Sequence, residues 1–389
     1  MIAYNKKWLS HQVARQQIDQ AAATGCISTE EYKNATALYS TGFYTPNYFI
    51  RIGLFILTNI IASFSLGFLS LLFLSGANEN TPAVICILFG SITYGALEIM
   101  VRQKYHFQSG ADDALLWMSA SFLFSGINLL GNISPTANAW LIFIIACFCT
   151  LRFADMLMAA VTTVAFLAIV FFSLSQLGNI AKAMMPFILM LLSAAIYFTV
   201  KKNESNAQCQ HYKNCLTIIE ITSLLCFYIA GNYFVVREAS ISFFHLQLKE
   251  TESIPFSWLF WLFSTCIPLL YIFAGIQKKD SLLIRTGLLL VAAIVFTVRY
   301  YHHLLPAELA LIVGGMSLLL IAYSLMRFLN TPKKGFTAAA SLTSSNNRLL
   351  ENVEAIVIAE TLSTATEQQQ SDTTLGGGDF GGGGGSGDY

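Results

Sequence analysis

Ten long apolar runs, joined by short polar connections, constrain this chain more than any other feature. They fall at 49–74, 82–101, 114–131, 136–151, 156–176, 183–200, 214–236, 255–276, 281–298 and 305–327. A helix rises ~1.5 Å per residue, so runs of this length cross a hydrocarbon core of ~30 Å, some of them tilted. A water-soluble fold of this size needs far more charge. Asp, Glu, Lys and Arg make up 11% of the 389 residues, against roughly 25% in a soluble domain. The expected fold class is therefore all-α, a polytopic transmembrane helix bundle of about ten spans surrounded by lipid.

The fourth run is the shortest, nearer ~24 Å by the same rise. Basic residues decide whether it crosses, because Lys and Arg are retained on the cytoplasmic side. With ten crossings and the N-terminus inside, 18 of the 22 Lys and Arg fall in cytoplasmic segments, and Lys182, Arg237, Lys249 and Arg299 fall outside. If the fourth run turned back, the split would become 11 against 11. Ten spans with both termini in the cytoplasm is the arrangement that satisfies the rule.

Three regions follow. Residues 1–48 read as a cytoplasmic amphipathic helical hairpin: a first helix stops near Gly25, Ser28 and Glu31 form a capping box for a second, and Pro46 closes the module. The bundle occupies 49–329. Residues 330–389 read as a cytoplasmic linker, a short helix over 346–361 and a Gly-rich tail. Leu349, Leu350, Val353, Ile356 and Val357 share one side of that helix. From Ser363 onward there is too little apolar surface to offset the entropy of ordering, so a disordered tail is expected. The hairpin and the 346–361 helix are the two surfaces on which a protein partner is expected to dock. No cleavable signal precedes the first span, which is expected to act as the targeting element.

The N-terminal pattern carries a resemblance. Trp8-Leu9 begins a polar helix, Gly25-Cys26-Ile27-Ser28-Thr29-Glu30-Glu31 joins it to a second, and Arg51-Ile52-Gly53-Leu54 enters the first span. This resembles a family of uncharacterised, predicted bacterial multi-span membrane proteins with a cytoplasmic N-terminal hairpin. The resemblance covers that module and the general layout of spans. It implies a multi-pass protein of the bacterial inner membrane and brings no catalytic residue with it. Arg285-Thr286-Gly287-Leu288 echoes the Arg51 tetrapeptide, and the echo reads as coincidence rather than as a repeat.

Ionisable groups in lipid are costly, so they are the first candidates for function. Glu220 is the deepest, about a turn and a half inside the seventh run. It reads either as a proton or cation ligand or as an anchor at the inner headgroup level. No carboxylate falls near the middle of a run, which argues against a proton pump. On the outer side Arg299, His302, His303 and Glu308 form the other candidate cluster, suited to an anion or a pH response. Adjacent histidines diverge on a helix, so they make no metal site there. Pro186 and Pro268 are candidate helix breaks, with the eighth run, containing Ser264, Thr265 and Pro268, the best place for a discontinuous helix. Asn59, Asn128 and Asn232 are expected to bond between helices. Residues 237–253 read as an amphipathic segment lying in the headgroup plane.

Cys209, His211 and Cys215 lack zinc spacing, and no phosphate loop or nucleophile elbow is present. No cofactor and no metal is called for, no basic arm suits a nucleic acid, and no catalytic constellation is legible. A small-solute transporter or permease is the leading expectation, with a non-catalytic membrane sensor or scaffold as the alternative. An enzyme acting through the Arg299–Glu308 cluster ranks third.

Overall fold

A computed structural model describes residues 2–23, 25–73, 78–131, 133–204, 206–244, 256–302 and a few helical positions between 312 and 327. The chain divides into two units, Met1–Leu342 and Thr343–Tyr389. The second unit, with the expected 346–361 helix and Gly-rich tail, lies outside the described residues.

The described residues are helical, with no strand beyond an isolated bridge between Tyr44 and His106. In chain order the helices are α1 (Lys6–Ala23), α2 (Thr29–Leu38), α3 (Tyr48–Phe73), α4 (Thr81–Gln103), α5 (Ala111–Leu129), α6 (Pro135–Phe153) and α7 (Met156–Ser175). There follow α8 (Asn179–Asn203), α9 (Lys213–Gly231), α10 (Tyr233–Phe244), α11 (Ser257–Lys278) and α12 (Ser281–His302). Among the described residues, seven helices are long and apolar enough to cross a membrane: α3, α4, α6, α7, α8, α9 with the turn before it, and α11. They make this an integral, multi-pass membrane protein. The shortest run, 136–151, is among the seven as α6. Two further runs are helical as well: α5 carries Asp112 and Asp113 in its first turn, and α12 has a shorter apolar stretch, Ser281–Thr297.

Helix ends follow local chemistry. Glu31 takes hydrogen bonds from the Ser28 backbone N–H (2.8 Å) and hydroxyl, and its own N–H donates to Ser28 Oγ (3.3 Å), which forms the capping box of α2. α1 ends as Gly25 turns to φ 71° and the Cys26 N–H reaches the Ala21 carbonyl at 2.9 Å. Between α6 and α7 only Ala154, at φ 51°, and Asp155 separate the two helices. The Asp155 carboxylate accepts the Met158 N–H at 2.7 Å and so caps α7.

Small residues set the closest helix contacts. A Cβ on Gly126 would lie 2.6 Å from Ile87 Cγ1 and 3.0 Å from the Ile87 nitrogen, which joins α5 to α4. On Gly287 it would lie 2.7 Å from Ile272 Cγ1, joining α12 to α11. In membranes such close backbone approach supplies van der Waals contact that the hydrophobic effect does not. A Cβ on Gly53 would meet nothing within 4 Å, so the two similar tetrapeptides serve different ends. α3 contributes one buried residue, Ala62, and leaves Phe49 and Phe64 84% and 78% exposed. That face is suited to lipid.

The start of α1 and the segments flanking α1 and α2 pack onto the bundle through aromatic rings. Tyr4 meets Phe107 edge-on at 4.9 Å, Trp8 meets Tyr105 at 4.9 Å, and Phe43 stacks on Phe107 at 5.1 Å. The Ala3 N–H donates to the Arg152 carbonyl at 2.8 Å, and Tyr44 exchanges backbone bonds with Tyr105 and Phe107. Ser109 closes the same connection by donating its N–H and hydroxyl to Asp112.

Candidate functional site

The sequence expects breaks at Pro186 and Pro268, yet both sit inside uninterrupted helices. The discontinuity lies instead at Asn232, where the 214–236 run divides into α9 and α10. Asn232 adopts an extended conformation (ψ 128°) and is buried. Its Nδ2 donates to Tyr228 Oη at 2.9 Å and to Thr297 Oγ1 of α12 at 3.2 Å. The next peptide N–H, of Tyr233, donates to Ser264 Oγ at 2.9 Å. The polar groups freed by the break are thus bonded inside the protein, as non-helical backbone requires where water is absent. Among the other asparagines, Asn128 bonds across to Asn138 (2.6 Å), whereas Asn59 turns back to Phe55 of its own helix.

The break gives α10 its position. Residues 237–244, expected in the headgroup plane, continue a helix that packs against α9 and α11. Arg237 is buried at 8% exposure. Val235, Val236, Ala239, Ser240 and Phe243 of α10 form one wall of a cavity of about 350 Å³ whose other walls come from α7, α8, α9 and the start of α11. Its surface is overwhelmingly apolar, with Leu167, Phe171, Leu189, Ile229 and Phe260 among the lining side chains. Such a size and lining, with few polar groups, are those of small-molecule sites.

Three polar features interrupt that apolar lining. Pro186 faces the cavity and has no N–H to give, so the Lys182 carbonyl loses its helical donor. Lys182 itself lines the same region, in the first turns of α8. Ser193, eleven residues further along, is 0% exposed and its Oγ has no hydrogen-bond partner. Other helical serines, Ser63, Ser91 and Ser240 among them, return their hydroxyls to the carbonyl four residues back. Ser193 does not.

Charged clusters gather where the Lys- and Arg-rich connections meet the bundle. Glu220, 2% exposed, accepts from Lys201 Nζ at 3.1 Å, and the same ammonium reaches Asp280 at 2.8 Å and Glu204 at 3.5 Å. One cation therefore ties α8 to α9 and to the α11–α12 turn. Glu98 accepts from Arg152 Nε at 2.9 Å, from Arg102 Nε at 2.8 Å and from Tyr94 Oη at 2.8 Å, tying α4 to α6. Arg51 pairs with Asp113 at 2.7 Å and holds α3 to α5. Asp112, Asp113 and Asp155 line a void of about 10 Å³ beneath Tyr4, with space for at most a single water. Burial pushes the Asp155 carboxyl up to about 6, and the neighbouring Asp113 and Asp112 charges raise it further against the Met158 N–H that lowers it. Among the described residues no group of His, Cys, Asp and Glu is arranged to hold a metal ion, and the cysteines are free thiols.

Of the candidates named from sequence, Glu220 and Pro186 are in different places: the first in an ion cluster, the second on the cavity wall. Pro268 is buried against Gly287. Arg299 and His302 fall on the last turn of α12, while His303 and Glu308 lie outside the described residues. Sequence reasoning passed over Ser193, Lys182 and the Lys201–Asp280 contact. Asn232 carried a signal, as an amide between Gly231 and Tyr233 in an otherwise apolar run. Ser193 carried none, since a lone serine in a span is ordinary.

The chain matches no protein family, no curated protein and no solved structure.

Proposed function

We propose that this is a ten-span protein of the bacterial inner membrane, with both ends in the cytoplasm, that acts as a permease for a small, largely apolar solute. The retention of basic residues on one side supports the topology. A single observation carries the function: an apolar cavity extending along α8 to a buried, uncommitted hydroxyl at Ser193, beside a helix broken at Asn232. Broken helices and cavities reaching the midplane are the parts from which alternating-access carriers are built. The ion clusters support helix packing in this reading, since each carboxylate in them already has a cation or N–H partner.

Cys226 lines the cavity and provides the test. In the full chain with the other cysteines replaced, a membrane-impermeant maleimide is applied to spheroplasts and to inside-out vesicles. A permease exposes Cys226 to each side in turn, so both preparations label. Labelling from one side only ends the permease reading. A cysteine placed at Lys202 must label only from the cytoplasm if the topology holds.

A further inference from the structure

The size and the polarity of the cavity beside α8 together specify an occupant. A protein cavity of ~150 Å³ encloses benzene, so about 350 Å³ matches a molecule of about fourteen non-hydrogen atoms. The polar side chains in the lining are few. Lys182, the charged one, has an interaction within the protein. Ser240 donates to the Val236 carbonyl at 2.7 Å, and the Cys226 thiol is a weak donor. That leaves Ser193, fully buried, whose Oγ bonds to nothing, not even the Leu189 carbonyl four residues back.

A buried hydroxyl without a partner is a standing cost, and different occupants meet it differently. A water needs two to four polar partners to be held, and the lining around Ser193 is apolar. A bilayer acyl chain fills the space and leaves the hydroxyl unmatched. A charged solute loses its hydration and finds no uncommitted counterion in the lining. A neutral molecule with one hydroxyl serves Ser193 as donor or acceptor, and it buries the rest of its surface against Leu167, Phe171 and Phe260.

We propose that this cavity binds a compact, uncharged hydroxyl compound of about ten to fourteen non-hydrogen atoms. Its single hydroxyl bonds to Ser193, and its apolar body is enclosed by α7, α8, α9 and α10. The inference rests on the cavity being a solute site, which the permease reading also assumes, and it is independent of whether the protein cycles.

The test uses the full chain in lipid nanodiscs and three probes of similar shape: 2-naphthol, 2-methylnaphthalene and 2-naphthoate. Binding is read by equilibrium dialysis at neutral pH, with protein-free nanodiscs subtracted, for the wild type and for Ser193→Ala. The ratio between the two proteins cancels each probe's own partition between water and lipid. Ser193→Ala should weaken 2-naphthol about fivefold, the effect of one net hydrogen bond, and leave 2-methylnaphthalene within about twofold. To the wild type, 2-naphthoate should bind at least about tenfold more weakly than 2-naphthol. An equal effect of the substitution on 2-naphthol and 2-methylnaphthalene overturns the proposal, and so does 2-naphthoate binding as tightly as 2-naphthol. Photolabelling of the wild type with an azido-2-naphthol decides even if the variant does not fold. Adducts on the cavity lining that excess 2-naphthol displaces support the site; adducts confined to other surfaces such as α3, or none at all, overturn it. Should Cys226 label from both sides while the two neutral probes respond alike to Ser193→Ala, the permease stands and this solute class falls. Should 2-naphthol bind through Ser193 while Cys226 labels from one side only, the site stands and the permease falls.

Discussion

Asp155→Asn is expected to make the protein more stable at neutral pH, and the structure sets the size of the gain. Asp155 caps α7 through the Met158 N–H, a role that asparagine fills as well as aspartate. Its carboxyl is pushed up to about 6 from an ordinary 3.8. At ~1.4 kcal/mol per pH unit this places a ceiling of about 3 kcal/mol on the cost of keeping it ionised. Partial solvent contact and the favourable helix dipole at an N-cap, ~0.3–1 kcal/mol, reduce the expected gain to about 1–2 kcal/mol. The direction with pH follows. The folded pKa lies above the unfolded one, so the native state binds more protons between about pH 4 and 6. This group's contribution to stability is complete below the unfolded pKa and is lost as pH rises through 6. Unfolding free energies measured by denaturant titration in nanodiscs at pH 4.5 and pH 8 should show the variant further ahead at pH 8 than at pH 4.5, where the larger part of the wild type's contribution is still present. Equal pH slopes for the two proteins, or a variant less stable at pH 8, would refute the reasoning that burial beside Asp112 and Asp113 strains this carboxylate.

Three further perturbations probe the packing. Gly287→Ala should cost about 1–3 kcal/mol, because its Cβ meets Ile272 and Pro268 across the α11–α12 contact; Gly53→Ala, with open space around it, should be neutral or slightly stabilising in the same thermal melts. Lys201→Met removes the cation shared by Glu220 and Asp280 and should cost about 3 kcal/mol, discounted because the lysine side chain is 38% exposed. Adding Glu220→Gln should recover a substantial part of that loss, and a double-mutant cycle reads it directly. Asn232→Ala strips the bonds to Tyr228 and Thr297 and should cost about 1–3 kcal/mol, with faster amide hydrogen exchange concentrated in α10.

The all-helical, multi-pass character was legible in residues 49–298 alone, because hydrocarbon leaves unsatisfied backbone so costly that a long apolar run has to close its own hydrogen bonds as a helix. Local chemistry was legible for the same reason of range. Ser28 and Glu31 are three residues apart, so their reciprocal cap needs no other part of the chain. Tertiary structure decided the rest. Pro186 and Pro268 were the obvious breakers, yet their helices continue, and the break falls at Asn232, where Thr297 takes the Asn232 amide and Ser264 takes the Tyr233 N–H, both from helices far along the chain. The buried Glu220 found Lys201 nineteen positions before it and shares that lysine with Asp280, sixty positions later. Ser193 shows the limit most clearly. In sequence it is one serine among many, and it becomes a candidate only because α7, α9 and α10 leave its hydroxyl enclosed and unmatched. A sequence fixes which groups must be satisfied locally, whereas the packing of distant helices decides which are left unpaired.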